Sequence, residues 1–154
     1  MTAEVCEILE KIVGLPCTRK EFGFLRSLSL GFGDEASAET KKRNRQYRLW
    51  EIGTYSAAWQ ITNRDVVLLS KDQSGNADEL DARLQGIPLG RFKAVRQISE
   101  TNLELVLDNE LLVKISGNAG DYDEYFHVFC PEKRYVEFSK SGWVIGRSDV
   151  PWDE

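Results

Sequence analysis

The amino-acid sequence predicts an α+β fold that is mainly β. Two pseudo-repeated antiparallel units form a sandwich or half-open barrel, with an N-terminal helix and a short linking helix. Three observations carry that expectation. Gly14-Leu15-Pro16-Cys17-Thr18-Arg19 returns 72 positions later as Gly86-Ile87-Pro88-Leu89-Gly90-Arg91, with Gly, Pro and Arg in register. Runs of alternating apolar and polar residues follow both copies in the same order, as strands of a half-buried sheet do. A stretch with apolar residues at helical spacing precedes each copy. A small sheet with one apolar face exposed is marginal alone, so stacking two such halves would bury both faces in one core.

From Thr2 to Val13 the residues Val5, Ile8, Leu9, Ile12 and Val13 share one helical face, with Thr2 as N-cap, Gly14 as terminator and Pro16 barring continuation. Leu28, Leu30 and Phe32 then alternate with small or polar residues. Around Trp50 both faces carry bulky groups, Tyr47, Leu49 and Glu51 on one and Arg48, Trp50 and Ile52 on the other, so both faces are expected to be covered. Ala58 to Ile61 and Val66 to Leu69 flank Asn63-Arg64-Asp65, a turn of hairpin length. Leu80 and Leu84 mark the linking helix from Asp78 to Leu84, with Asn76 as N-cap and acidic residues at its positive end. In the second half Leu103, Leu105 and Leu107 answer Leu28, Leu30 and Phe32, and a turn at Asp108-Asn109 stands where the first half has its long charged loop. His127 to Cys130, the turn Pro131-Glu132-Lys133 and Tyr135 to Ser139 answer the hairpin of the first half, and a last strand runs from Trp143 to Gly146.

At 154 residues and 17.6 kDa the chain suits a single domain, residues 1–154, with repeat halves at about 14–72 and 86–148. Twenty Lys and Arg against 25 Asp and Glu leave a net charge of −5, which favours solubility and disfavours general binding to nucleic-acid phosphates. Cys6, Cys17 and Cys130 have no Cys-x-x-Cys spacing and are expected to be buried or half-buried reduced thiols. No basic region followed by an apolar run opens the chain, and no apolar stretch approaches the roughly 20 residues that cross a bilayer, so a cytoplasmic location without membrane contact is the default.

Two segments break the repeat, and both are candidates for function. Asp34 to Arg45 is an exposed loop by composition, and its cluster Lys41, Lys42, Arg43 and Arg45 suits phosphate or an acidic surface. Asn118 to Tyr125 gathers Asp121, Asp123 and Glu124 with Tyr122 and Tyr125. Carboxylates this close suit a hard cation, but the closing glutamate of the twelve-residue calcium loop is missing, so no metal and no cofactor is assigned. Acid/base work would need burial and a cleft. Tyrosines framed by carboxylates also suit contact with a basic protein. His127, the one histidine, lies in an apolar strand three positions before Cys130, which a regular strand turns to the opposite face, so a Cys-His pair is geometrically poor and no catalytic residue is assigned. Trp59 and Trp143 are expected in the core. Trp152, near the acidic terminus, would need to pack back on the fold.

Gly14-Leu15-Pro16, Leu49-Trp50, Ala58-Trp59-Gln60-Ile61 and Gly142-Trp143-Val144-Ile145-Gly146-Arg147-Ser148-Asp149 resemble small bacterial β-rich proteins, some of them regarded as immunity-type proteins of polymorphic toxin or contact-dependent inhibition systems. The resemblance spans about Gly14 to Asp149. Its motifs are structural glycines, prolines and tryptophans, so it brings no active-site residue. It implies a non-enzymatic inhibitor that binds one cognate toxin; the net charge and the carboxylate-tyrosine loop suggest that this would be a basic domain met by an acidic face. The other readings are a small-ligand or metal-binding β domain, an enzyme included, using the mouth between the halves with Asp121, Asp123 and Glu124, and a nucleic-acid contact through the Lys41 to Arg45 cluster, which the net charge disfavours.

Overall fold

The computed structural model describes residues 1–35, 47–118 and 124–147. Helix α1, Ala3–Glu10, begins where the Thr2 hydroxyl accepts a hydrogen bond from the Val5 N–H (3.2 Å) and buries Val5, Ile8 and Leu9. The chain leaves it through Gly14, whose φ of 87° suits a residue without a side chain. Strands β1 (Cys17–Phe22), β2 (Leu28–Glu35), β3 (Arg48–Gly53), β4 (Ala58–Asn63) and β5 (Val66–Ser70) follow. Helix α2, Ala77–Gly86, starts in a capping box: Asn76 accepts from the Glu79 N–H (2.9 Å) while Glu79 accepts from the Asn76 N–H. The second half holds β6 (Phe92–Gln97), β7 (Asn102–Leu107), β8 (Leu111–Ser116), β9 (Phe126–Cys130), β10 (Arg134–Ser139) and β11 (Gly142–Arg147).

These strands make two antiparallel sheets, a six-stranded one in the order β1-β2-β3-β9-β10-β11 and a five-stranded one in the order β5-β4-β8-β7-β6. Among the described residues the fold is therefore mainly β and open, with no closed barrel, and one helix precedes each copy of the repeat. One feature departs from the sequence expectation. The halves do not stack as one sheet each; they exchange strands. The first half gives β1 to β3 to one sheet and β4 and β5 to the other, and the second half does the reverse. The crossings are β3 on β9 and β4 on β8. Exchange lets each unit bury its apolar face against strands of its twin within a sheet as well as across the core. Each helix also serves the other half, α1 packing on β6 and α2 on β1.

The repeated Gly-x-Pro turn stitches the halves together. The Gly14 N–H donates to the Phe92 carbonyl (2.9 Å), the Phe92 N–H to the Leu15 carbonyl (3.0 Å), and the Arg91 guanidinium to the Gly14 carbonyl (2.7 Å). On the equivalent side the Lys20 ammonium donates to the Gln85 and Ile87 carbonyls (3.0 and 2.6 Å) at the C-terminus of α2, where a cation meets the negative end of the helix.

The core runs continuously from α1 through both sheets and includes Phe32, Trp59, Ile61, Phe92, Leu105, Val113, Phe126, Val128 and Phe138. Trp143 packs against it half-buried, and Trp152 lies outside the described residues. Around Leu28, Ile52, Leu105 and Ile115 the space between the sheets is about 10 Å³, no more than a single water needs, so this part of the seam has no room for a small ligand. Among the described residues no helix is long and apolar enough to cross a membrane. All three cysteines are free. Cys17 and Cys130 are half-buried as anticipated, whereas Cys6 is exposed, because it lies on the outward side of the short helix α1.

Candidate functional site

Strand register determines which side chains share the outer face of the six-stranded sheet, since residues opposite one another point the same way. One row across all six strands reads Glu21, Ser29, Gly53, His127, Glu137, Val144. The next reads Arg19, Gly31, Glu51, Phe129, Tyr135, Gly146. This face, turned away from the core, holds Glu51 and His127 at 5% and 6% exposure, and Glu124 at 9% lies against it. Buried ionisable groups are costly unless paired, which makes these residues informative.

They fall into two clusters. In the first, Arg19 bridges Glu51 and Glu21 and donates to the Ser29 hydroxyl (3.1 Å), while the Arg48 N–H donates to the second oxygen of Glu51 (3.1 Å). Gly31 lies beneath the Arg19 and Glu51 side chains and leaves them room. The Arg19 guanidinium also sits 5.2 Å from the centre of the Tyr47 ring. Burial raises the Glu51 pKa, and Arg19 draws it back.

In the second, His127 Nδ1 bonds the Glu124 carboxylate, and the imidazole packs between the rings of Tyr55 (centroids 4.8 Å apart) and Phe129 (4.6 Å). Its Nε2 overhangs Gly53, where an added Cβ would lie 2.7 Å away, so only glycine admits the ring there. Glu137, opposite His127 on β10, is also in hydrogen-bonding reach of Glu124. Its pKa is raised first by burial and then by the Glu124 charge and that hydrogen bond, with His127 pulling the other way. Burial, followed by Glu124 and Glu137, raises the Tyr55 pKa as well. Two carboxyls thus press together near a half-exposed tyrosine, with one imidazole beside them on the sheet.

Of the residues singled out from the sequence, Glu124 belongs to this cluster. Tyr125 does not, and this corrects its assignment as a partner contact: it is fully buried, packs edge-on against Phe138 (5.8 Å), lies over Gly117 and donates to the Asn118 carbonyl (3.0 Å). A tyrosine flanked by Phe126 on an inward turn anchors the strand rather than reaching a partner. Asp121, Tyr122, Asp123, Lys41, Lys42, Arg43 and Arg45 lie outside the described residues. The strands that bracket them are nonetheless placed: Glu124 enters β9 at one end of the six-stranded sheet, whereas Glu35 and Arg48, which bound the basic segment, stand at the opposite end.

Tyr55, Glu137, Arg19 and Glu51 went unassigned in the sequence. A signal existed for two of them, because Glu51 and Glu137 are lone carboxylates inside apolar strands, Trp50-Glu51-Ile52 and Val136-Glu137-Phe138. The expectation that both faces of β3 are covered does hold at Glu51. His127 and Cys130 face opposite sides of the sheet, and burial pushes the thiols of Cys17 and Cys130 up to about 11, so neither makes a ready nucleophile. Among the described residues no three His, Cys, Asp or Glu side chains are placed to hold a metal ion. Comparisons of the chain with protein-family models, with curated proteins and with solved structures find no match.

Proposed function

We propose that this chain is a non-enzymatic binding protein whose contact surface is the end of the six-stranded sheet marked by Tyr55, Glu124 and Glu137, and whose partner is a basic protein domain. The observation that carries this reading is the pair Glu124 and Glu137. Two carboxyls held against each other in a partly desolvated place repel, and an arriving Lys or Arg side chain would relieve both at once. A half-exposed tyrosine beside them supplies the rigid aromatic contact that protein interfaces favour. Catalysis fits the site less well. The imidazole is spent on Glu124 with one nitrogen, holds the other over Gly53 and is enclosed by two rings, which leaves it poorly placed to take a proton from a substrate.

The resemblance to immunity-type proteins gives the partner a concrete form, a toxin domain that the chain neutralises by occlusion. The product of the gene beside this one is the probe. Titration calorimetry should show a complex that weakens with rising salt and is lost when Glu124→Lys and Glu137→Lys are combined. If the neighbouring product forms no complex with the wild-type chain, the reading is wrong.

A further inference from the structure

Phe24 and Leu25 are the most exposed large apolar side chains of the described residues, at 86% and 73%. They sit side by side in the turn Phe24–Arg26 between β1 and β2. Leu25 and Arg26 both have left-handed backbone, φ 53° and 61°, which bulky residues rarely adopt. A flexible loop would relax out of that conformation; this one is held. The Arg26 guanidinium donates to the carbonyls of Lys71 (3.2 Å), Gln73 (2.7 Å) and Gly75 (3.1 Å), and the Trp59 indole N–H donates to the Arg26 carbonyl (2.8 Å). The Lys71 ammonium in turn donates to the carbonyls of Ser56 and Ala57, next to Tyr55 (2.9 and 3.4 Å). Leu28 and Thr54 complete the link, each N–H donating to the other residue (3.1 and 3.0 Å). The turn carrying Phe24 and Leu25 and the loop carrying Tyr55 therefore form one stiff platform.

We infer that Phe24 and Leu25 are the apolar anchor of the contact proposed above, seated in an apolar pocket of the partner that is rimmed by basic side chains. The inference rests on that reading of the sheet end. β2 and β10 stand three strand spacings apart, roughly 14 Å, so the anchor and the Glu124–Glu137 pair fit within one interface of ordinary size. Charge selects the occupant. A second copy docking here would bring the carboxyl pair onto its own like charge, and an anionic bilayer would meet the same repulsion, whereas a basic protein satisfies both features together. Holding the pair in its bound conformation beforehand reduces the ordering cost of association.

Phe24→Ala with Leu25→Ala tests the anchor, and Leu25→Gly serves as a folding control, since glycine accepts the left-handed backbone and should leave Tm equal or higher. Against the neighbouring gene product, the double variant should bind about 100-fold more weakly through faster dissociation, with the salt dependence unchanged. Replacing Glu124 and Glu137 should instead slow association and flatten that dependence. If the wild type binds and the double variant binds equally well, the anchor is refuted while the binding function stands. If the wild type does not bind, both fall. Concentration-dependent self-association in sedimentation, or retention on phosphatidylglycerol vesicles, abolished in the double variant, would overturn the anchor in favour of a second copy or a membrane.

Discussion

Two glutamate clusters share the outer face of one sheet, each spread over a glycine, and they are built differently. Around Gly31 one guanidinium serves Glu51 and Glu21, and the remaining oxygen of Glu51 takes a backbone N–H. Around Gly53 two carboxyls again share one basic side chain, but Glu124 and Glu137 press on each other and their partner is an imidazole, not a permanently charged guanidinium. The first cluster is internally satisfied and has the character of a structural brace. The second leaves negative charge crowded at the sheet end, beside exposed aromatic surface, and has the character of a receptor. Burial of ionisable groups alone does not separate the two; the kind of basic partner and the contact between the carboxyls do.

Arg19→Ala would break the brace and should have the largest effect. It leaves Glu51 buried without its cation, at a cost of about 3–5 kcal/mol in urea unfolding, and Glu51→Gln in the same chain should return much of it. His127→Ala removes the one imidazole from the receptor and strips its packing against Tyr55 and Phe129. A loss of about 2–3 kcal/mol is expected, partly recovered by adding Glu137→Gln. Should His127→Ala prove neutral, the contrast between the clusters would lose its basis. Glu137→Gln alone should have the smallest effect and the opposite sign. A carboxyl whose folded pKa lies above its ordinary 4.5 binds its proton more tightly in the folded chain. Its contribution is therefore fully present below that value and is lost as pH rises through the folded pKa. Wild-type stability should decline across that window above pH 4.5, and Glu137→Gln should reduce the decline and raise the neutral-pH midpoint slightly, as thermal melts over a pH series would reveal.

Much of the fold was legible because its signals are local. The Thr2 and Asn76 caps, the alternation at Leu28, Leu30 and Phe32, and the turn residues Arg64 and Asp65 each announce their element within a few positions. β1 and β6 were not legible. Both are edge strands, and the polar run Cys17-Thr18-Arg19-Lys20-Glu21 has the charged character that blunts edges rather than the alternation that announces strands. The strand exchange was hidden for another reason: repetition in sequence says that two units are alike, not which strands of each pair with which. At the site, Glu124 was visible as part of an acidic run and His127 lies three positions on, but Tyr55 and Glu137 come from two other segments and join them only through the fold.

The exchange carries a consequence for ownership of the site. Tyr55 and Gly53 come from the first repeat, and Glu124, His127 and Glu137 from the second, meeting where β3 crosses β9. The corresponding crossing in the other sheet, β8 on β4, places Ser116 opposite Ala58, two small uncharged residues. The same junction therefore occurs twice in one molecule, and at this position it carries small uncharged residues in one sheet and the ionisable cluster in the other. Neither repeat contains the cluster by itself; it is a property of the seam, and among the described residues one seam of the two is so equipped.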